Sequence, residues 1–331
     1  MSVTKPIRTL VVGVMAAAAA WMPSVSLAAS GPRMTVPAAS LKRALSCPRS
    51  LHHLGRDPVL LVPGTAADPA TTYAWNYERT LPRAGYRYCT VTLPEKSLAD
   101  VQVSAQYVVA AIRTMAARSG RKVAVIGMSQ GGLEPRWALR FWPDLRKKVS
   151  DYVGLATPQH GTTLVGALCA SGCAAALWQM APDSAFLAAL NRGAEVLKGP
   201  DWTAIYSRTD DIVAPQTEPA PSSALAPAHG VRSTSIALQT ICPADTSTHI
   251  GTLADATATA LVFDALAHHG PASAARVGTG RCNDALAPGL DKQQVDDILA
   301  NLLPKLLATT AAAPQLAAEP AVASYARRRA R

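Results

Sequence analysis

The stretch Val123-Ala-Val-Ile-Gly-Met-Ser-Gln-Gly-Gly-Leu133 decides how the chain is read. Residues 123–126 are a short apolar, largely β-branched run, the pattern of a strand buried on both faces. Gly127-Met128-Ser129-Gln130-Gly131 follows as a G-x-S-x-G string, and helix-like sequence continues through Trp142. Strand, tight turn and helix in that order is the setting of a nucleophile elbow. The turn is so tight that a Cβ beside the serine would collide with the adjoining strand and helix, hence the glycines. It lifts Ser129 Oγ above the sheet at a helix start, where the dipole favours developing negative charge. The bland alternative is a glycine turn carrying an incidental serine, and the strand–turn–helix context argues against it.

Outward from this point the chain alternates strand and helix. Residues 58–62 and 86–92 are strand candidates upstream. Val101, Ala105, Val108, Ile112 and Met115 recur at helical spacing, and Gly120 can stop that helix. Residues 152–155, 203–206 and 234–238 are further strand candidates, and helical patterns at 254–267 and 295–307 follow. Such alternation with short turns predicts an α/β fold, a mostly parallel sheet covered on both faces. Residues 309–323 are Ala/Pro-rich and read as a linker or extended arm. No internal repeat is visible.

Composition narrows the function classes. With 16% charged and 49% hydrophobic residues over 331, the chain is neither disordered nor a coiled coil, and it can bury a large core. The net charge of +10 includes Arg327, Arg328, Arg329 and Arg331 in a terminal tail, so no nucleic-acid partner is indicated. No dinucleotide fingerprint, P-loop or H-E-x-x-H occurs, and neither a cofactor nor a metal is expected.

The N-terminus reads as an export signal. Lys5 and Arg8 precede an apolar stretch too short to span a bilayer, and Ser26-Leu27-Ala28 offers a cleavage site. The expected organisation is a signal peptide at 1–28, a catalytic domain at 29–313 and an Arg-ended tail at 314–331. The mature protein is expected outside the cytoplasm, secreted or periplasmic, where cysteines pair.

An activated serine needs a base and an orienting acid, in the chain order Ser, Asp, His. Among the downstream histidines, His249 lies in a loop between the last strand candidate and a helix, where catalytic side chains are held. His229, in a Pro/Ala turn, is the main alternative, and His268-His269 end a helix. Asp210 or Asp211 directly follows the strand candidate at 203–206. Asp245 competes, and the residues alone do not separate the neighbouring pair. The oxyanion should be met by the N–H of Gln130 and by Thr65 in the loop Val62-Pro63-Gly64-Thr65.

Leu61-Val-Pro-Gly-Thr65, Ser129-Gln-Gly-Gly132, Tyr206-Ser-Arg-Thr-Asp-Asp-Ile-Val213 and the loop from Cys242 to His249 resemble the family of Candida antarctica lipase B and its bacterial relatives. The resemblance runs from about Cys47 to about Leu307. It implies an α/β-hydrolase fold and hydrolysis of carboxylic esters, triacylglycerols included. It puts the nucleophile on Ser129, the acid on Asp210, the base on His249 and the oxyanion donors on Thr65 and Gln130. It also implies two disulfides, Cys47 with Cys89 and Cys242 with Cys282. Cys169 and Cys173 are extra to the family, and export with short spacing suggests a local bridge. Met128 replaces the family's tryptophan, and Gln159 stands near its pocket aspartate. Trp178 falls near the inferred pocket wall.

The expectation is a secreted triacylglycerol lipase working as a monomer on ester or lipid substrate, with transient contact to a lipid interface. An acyltransferase or polyester-degrading esterase would use the same triad. A lipid-binding homologue without activity is the reading from another class.

Overall fold

The computed structural model describes residues 1–3 and 30–327. The export segment with its cleavage site, and Arg328, Arg329 and Arg331, lie outside the described residues. Seven strands form one sheet: β1 (Leu45–Ser46), β2 (Val59–Val62), β3 (Tyr88–Val91), β4 (Val123–Met128), β5 (Val149–Leu155), β6 (Asp201–Tyr206) and β7 (Ser233–Ala237). Their order is β1-β3-β2-β4-β5-β6-β7. All neighbours are parallel except β1 against β3. This is the mostly parallel α/β sheet the sequence pattern anticipates, in the α/β-hydrolase arrangement that the resemblance implies.

Every residue of β2 and β4 is buried, which is why both read as unbroken apolar runs. Alternation along the strands sends Leu60, Val62 and Val125 into one core and Leu61 and Ile126 into the other. The first core is completed by α2 (Val101–Ser119) and α3 (Leu133–Phe141), after a short α1 (Pro69–Tyr73). The second is completed by α7 (Ala256–Ala267) and α8 (Lys292–Ala312). Between them in sequence lie α4 (Leu164–Leu168), α5 (Ala175–Gln179) and α6 (Ala185–Leu190). Helix α2 starts at Val101, the first position of its apolar period, because Asp100 caps it, accepting from Gln102 N at 2.8 Å.

After β3 the chain crosses to the other side of β2, so the strand order reverses between β2 and β4. A crevice opens at the carboxyl ends of strands at such a point, and ligands bind there. The loop holding Thr65 leaves β2, and Ser129 follows β4.

One difference from the sequence reading concerns the C-terminal side. Helix α8 runs to Ala312, through residues read as linker, because Ala308-Thr-Thr-Ala-Ala312 tolerates helix until Pro314 forces Ala313 into extended backbone (ψ 158°). The chain beyond is an extended arm anchored along its length. Leu316 exchanges both backbone bonds with Cys173, and Glu319 accepts from Ala185 N and Phe186 N at the start of α6. Tyr325 then packs against Trp137, Phe141 and Trp142, and its hydroxyl accepts from Trp137 Nε1.

The six cysteines form Cys47–Cys89, Cys169–Cys173 and Cys242–Cys282. The last closes a loop of 40 residues around the segment carrying His249. Chain-entropy arguments give such a cross-link about 4 kcal/mol. Changing Cys242 and Cys282 together to serine should therefore cost about 2–4 kcal/mol in denaturant unfolding. A loss under about 0.5 kcal/mol would mean that this loop is held by its packing alone.

Candidate active site

Ser129 takes φ +54°, the left-handed region that side chains avoid. The surroundings enforce it. A Cβ on Gly127 would lie 2.1 Å from Gly131 O, and one on Gly131 would lie 2.3 Å from Val62 O. Only glycines on both sides let strand, turn and helix approach so closely. Residues 129–132 form a 3₁₀ turn that runs straight into α3, so the Gln130 N–H stands at a helix start.

His249 Nδ1 lies 2.8 Å from Asp210 Oδ2, with both side chains almost wholly shielded from solvent. An ionised carboxylate only accepts, so the proton sits on Nδ1 and Nε2 keeps its lone pair. Asp210 Oδ1 is held by Ile212 N at 2.9 Å and Val213 N at 2.7 Å. The carboxylate is thus fixed by its own turn before it meets the imidazole. Asp211 does something else: its Oδ1 accepts from the backbone N–H of His249 at 3.0 Å, tying the two loops together. Asp245 turns back within its loop, accepting from Ser247 N. His268 pairs with Asp264 on α7, away from Ser129.

Ser129 and His249 line one cavity of about 440 Å³, together with Thr65. Its walls are largely apolar: Val165 and Leu168 from α4, Leu177 from α5 and Met180 just after it, Ile250 and Leu253 after His249, and Leu302, Leu303, Leu306 and Leu307 from α8. Helix α8 therefore divides its apolar face. Val295 and Leu299 pack on the second core, Leu302, Leu303 and Leu306 touch both core and cavity, and Leu307 faces the cavity. Met128, also at the wall, fills the space before the serine.

Thr65 Oγ1 donates to Gln130 Oε1 at 2.8 Å, so the two oxyanion candidates touch through their side chains. Tyr73 escaped the sequence reading. Its hydroxyl donates to Val62 O at 2.7 Å and accepts from Met128 N at 3.1 Å, bracing the ends of β2 and β4 from below. Burial pushes this phenol well above its ordinary range, so it stays a donor. An aromatic on a short helix carries no local signal of that role. Glu134, on the first turn of α3, is buried as well, although a glutamate there usually faces water.

Two expectations about the pocket wall are corrected. Gln159 does not line the cavity. It is fully buried, accepts from Arg136 and donates to Tyr152, and Pro158 stands at the wall instead. The buried guanidinium of Arg136 needs that acceptor more than the pocket needs a polar group. Trp178 turns outward to donate to Leu316 O of the arm, leaving Leu177 and Met180 at the wall.

Among the described residues no cluster of His, Cys, Asp and Glu could hold a metal, and no helix is long and apolar enough to cross a membrane.

No protein-family model matches the chain. Lipase B of Pseudozyma antarctica is 32% identical over 325 residues, covering 96% of this chain and 94% of that one. The crystal structure of Aspergillus fumigatus lipase B superposes with a TM-score of 0.84 at 36% identity, covering 90% of this chain and 73% of that one. Identity of this extent, over nearly the whole of both sequences, joins the elbow and the buried Asp–His pair in one conclusion: the chain belongs to the lipase B family, and it is a lipase, a carboxylic-ester hydrolase on the α/β-hydrolase fold.

Proposed function

We propose that the protein is an exported triacylglycerol lipase that works through an acyl-enzyme on Ser129. His249 Nε2 removes the Ser129 proton as Oγ attacks the ester carbonyl, and Asp210 holds the imidazolium that results. The Gln130 N–H and Thr65 take the oxyanion, each donor being worth about 3–4 kcal/mol of transition-state stabilisation. His249 then gives its proton to the departing alcohol. Water, deprotonated by the same imidazole, attacks the acyl-enzyme; the bond from acyl carbon to Oγ breaks, His249 returns the proton to Ser129 Oγ, and the carboxylic acid leaves.

The observation that carries this reading is the shielded His249–Asp210 hydrogen bond at the edge of an apolar cavity shared with Ser129. A long apolar wall suits an acyl chain, and transfer of CH₂ groups from water supplies binding energy. Around the cavity mouth Leu164, Leu168 and Leu307 are each about 40–50% exposed, an apolar rim suited to a lipid surface. A single chain supplies every proposed catalytic group, which supports function as a monomer. Three disulfides fit an oxidising compartment outside the cytoplasm.

Leu306→Trp should test the acyl assignment. A larger side chain on the wall should raise the ratio of kcat/KM for a four-carbon over a twelve-carbon ester by on the order of ten-fold. An unchanged chain-length profile in the folded variant, measured on emulsified esters, would place the acyl chain elsewhere.

A further inference from the structure

Glu134 takes no part in the proposed chemistry, yet it is fully buried one helical turn from Gln130. Gln130 Nε2 donates to Ser97 O at 2.7 Å and to Glu134 Oε1 at 2.8 Å. The Ser97 carbonyl can only accept, so the amide cannot flip, and Gln130 Oε1 must face Thr65. Thr65 then spends its one hydroxyl proton on Gln130 Oε1. The same proton cannot also serve an oxyanion.

The Glu134 carboxyl has no cation to balance it. Its Oε2 is buried without a hydrogen-bond partner. Tyr73 from α1 and Tyr152 from β5 face it, and burial raises both phenols, so they stay neutral. Arg136, two positions along α3, is committed to Gln159, Asn191 and Glu195 O. On the turn that offers Ser97, Glu95 and Lys96 are exposed, and the Asp100 carboxylate is taken by Gln102 and Gln179. Burial accordingly pushes Glu134 up to about 8.

The geometry points to Glu134 as a positioning residue that acts on the oxyanion hole through the Gln130 carboxamide. Neutral, it leaves Gln130 Oε1 an ordinary acceptor, and the Thr65 hydroxyl can turn to the oxyanion. Ionised, it polarises the amide, strengthens the hold of Oε1 on Thr65, and sets a negative charge against the one that develops. Both effects weaken the hole as the pH rises. The inference rests on the assignment of Thr65 and Gln130 to the oxyanion.

The test is the pH dependence of kcat from pH 6 to 9.5 on a soluble ester, followed by acid titration, for the native enzyme, E134Q, E134L and T65V. The native kcat should fall on the order of ten-fold through a step near pH 8, a part of what a whole donor is worth. KM should stay level. E134Q should lack the step, and E134L provides the same readout if E134Q folds poorly. T65V should lose about 10²-fold in kcat and show a shallower step, because the hydroxyl on which the polarised amide acts is gone and only the charge of Glu134 still opposes the oxyanion. A native profile without the step, a step that survives in E134Q, or one that stays undiminished in T65V overturns the inference. A T65V enzyme with full kcat overturns the oxyanion assignment beneath it, a separate result that the kcat values alone reveal. Stability gives an independent sign. A carboxyl raised in the folded state stabilises it at low pH, and that contribution fades as the pH rises through about 8, so E134Q should gain on the native protein in alkaline unfolding.

Discussion

Ser129→Ala lowers kcat for ester hydrolysis by at least about 10⁴-fold, with the fold intact. The substitution removes one oxygen and keeps Cβ, so the positive φ at this position is no more costly for alanine than for serine. The cavity, the His249–Asp210 pair and the Gln130 N–H all remain. What is lost is the covalent route. Residual turnover, in which water attacks substrate held in the site, keeps only the assistance of binding and the oxyanion donors. Rates from acid titration, with circular dichroism as the check on folding, decide it. Hydrolysis within ten-fold of the native rate would mean that another group attacks the ester.

Asp210→Asn is expected to lower kcat by about 10⁴-fold, and Asp211→Asn by no more than a few-fold. At position 210 an amide oxygen can still accept from Ile212 N and Val213 N. Its NH₂ would then face His249 Nδ1, which must become the acceptor. The imidazole proton moves to Nε2, and no lone pair is left for Ser129. At position 211 the side-chain oxygen accepts from the His249 backbone N–H, a role asparagine can fill. Equal losses in the two variants would show that orientation of the whole loop, rather than the imidazole tautomer, limits the rate.

That contrast marks where the sequence stops being informative. Asp210 and Asp211 follow the same strand and differ by one position in a turn, so no local property ranks them. The ranking comes from which carboxylate the turn folds inward, and this depends on the backbone N–H groups of residues 212 and 213. The elbow was legible because glycine is compulsory on both sides of the strained serine. The parallel strands were legible because burial on both faces leaves continuous apolar runs, whereas the two-residue β1 carries too little pattern to be read. The arm after Pro314 looks featureless in sequence because most of its anchors are backbone groups. Gln159, Tyr73 and Glu134 show the remaining limit. Gln159 and Tyr73 are placed by partners elsewhere in the chain, Arg136 and Val62 with Met128, and Glu134 meets Gln130 one turn away, whose own partners Thr65 and Ser97 are distant in sequence. Periodicity and motif do not see such pairings.

The central claim is that Ser129, activated by His249, is the nucleophile. Reaction of the folded protein with a fluorophosphonate ester, followed by peptide mass mapping, tests it most directly. The prediction is one adduct per chain on the peptide containing Ser129, formed in step with loss of ester hydrolysis and absent in Ser129→Ala. An adduct on a different serine that tracks the loss of activity, or full hydrolysis with Ser129 blocked, would contradict it.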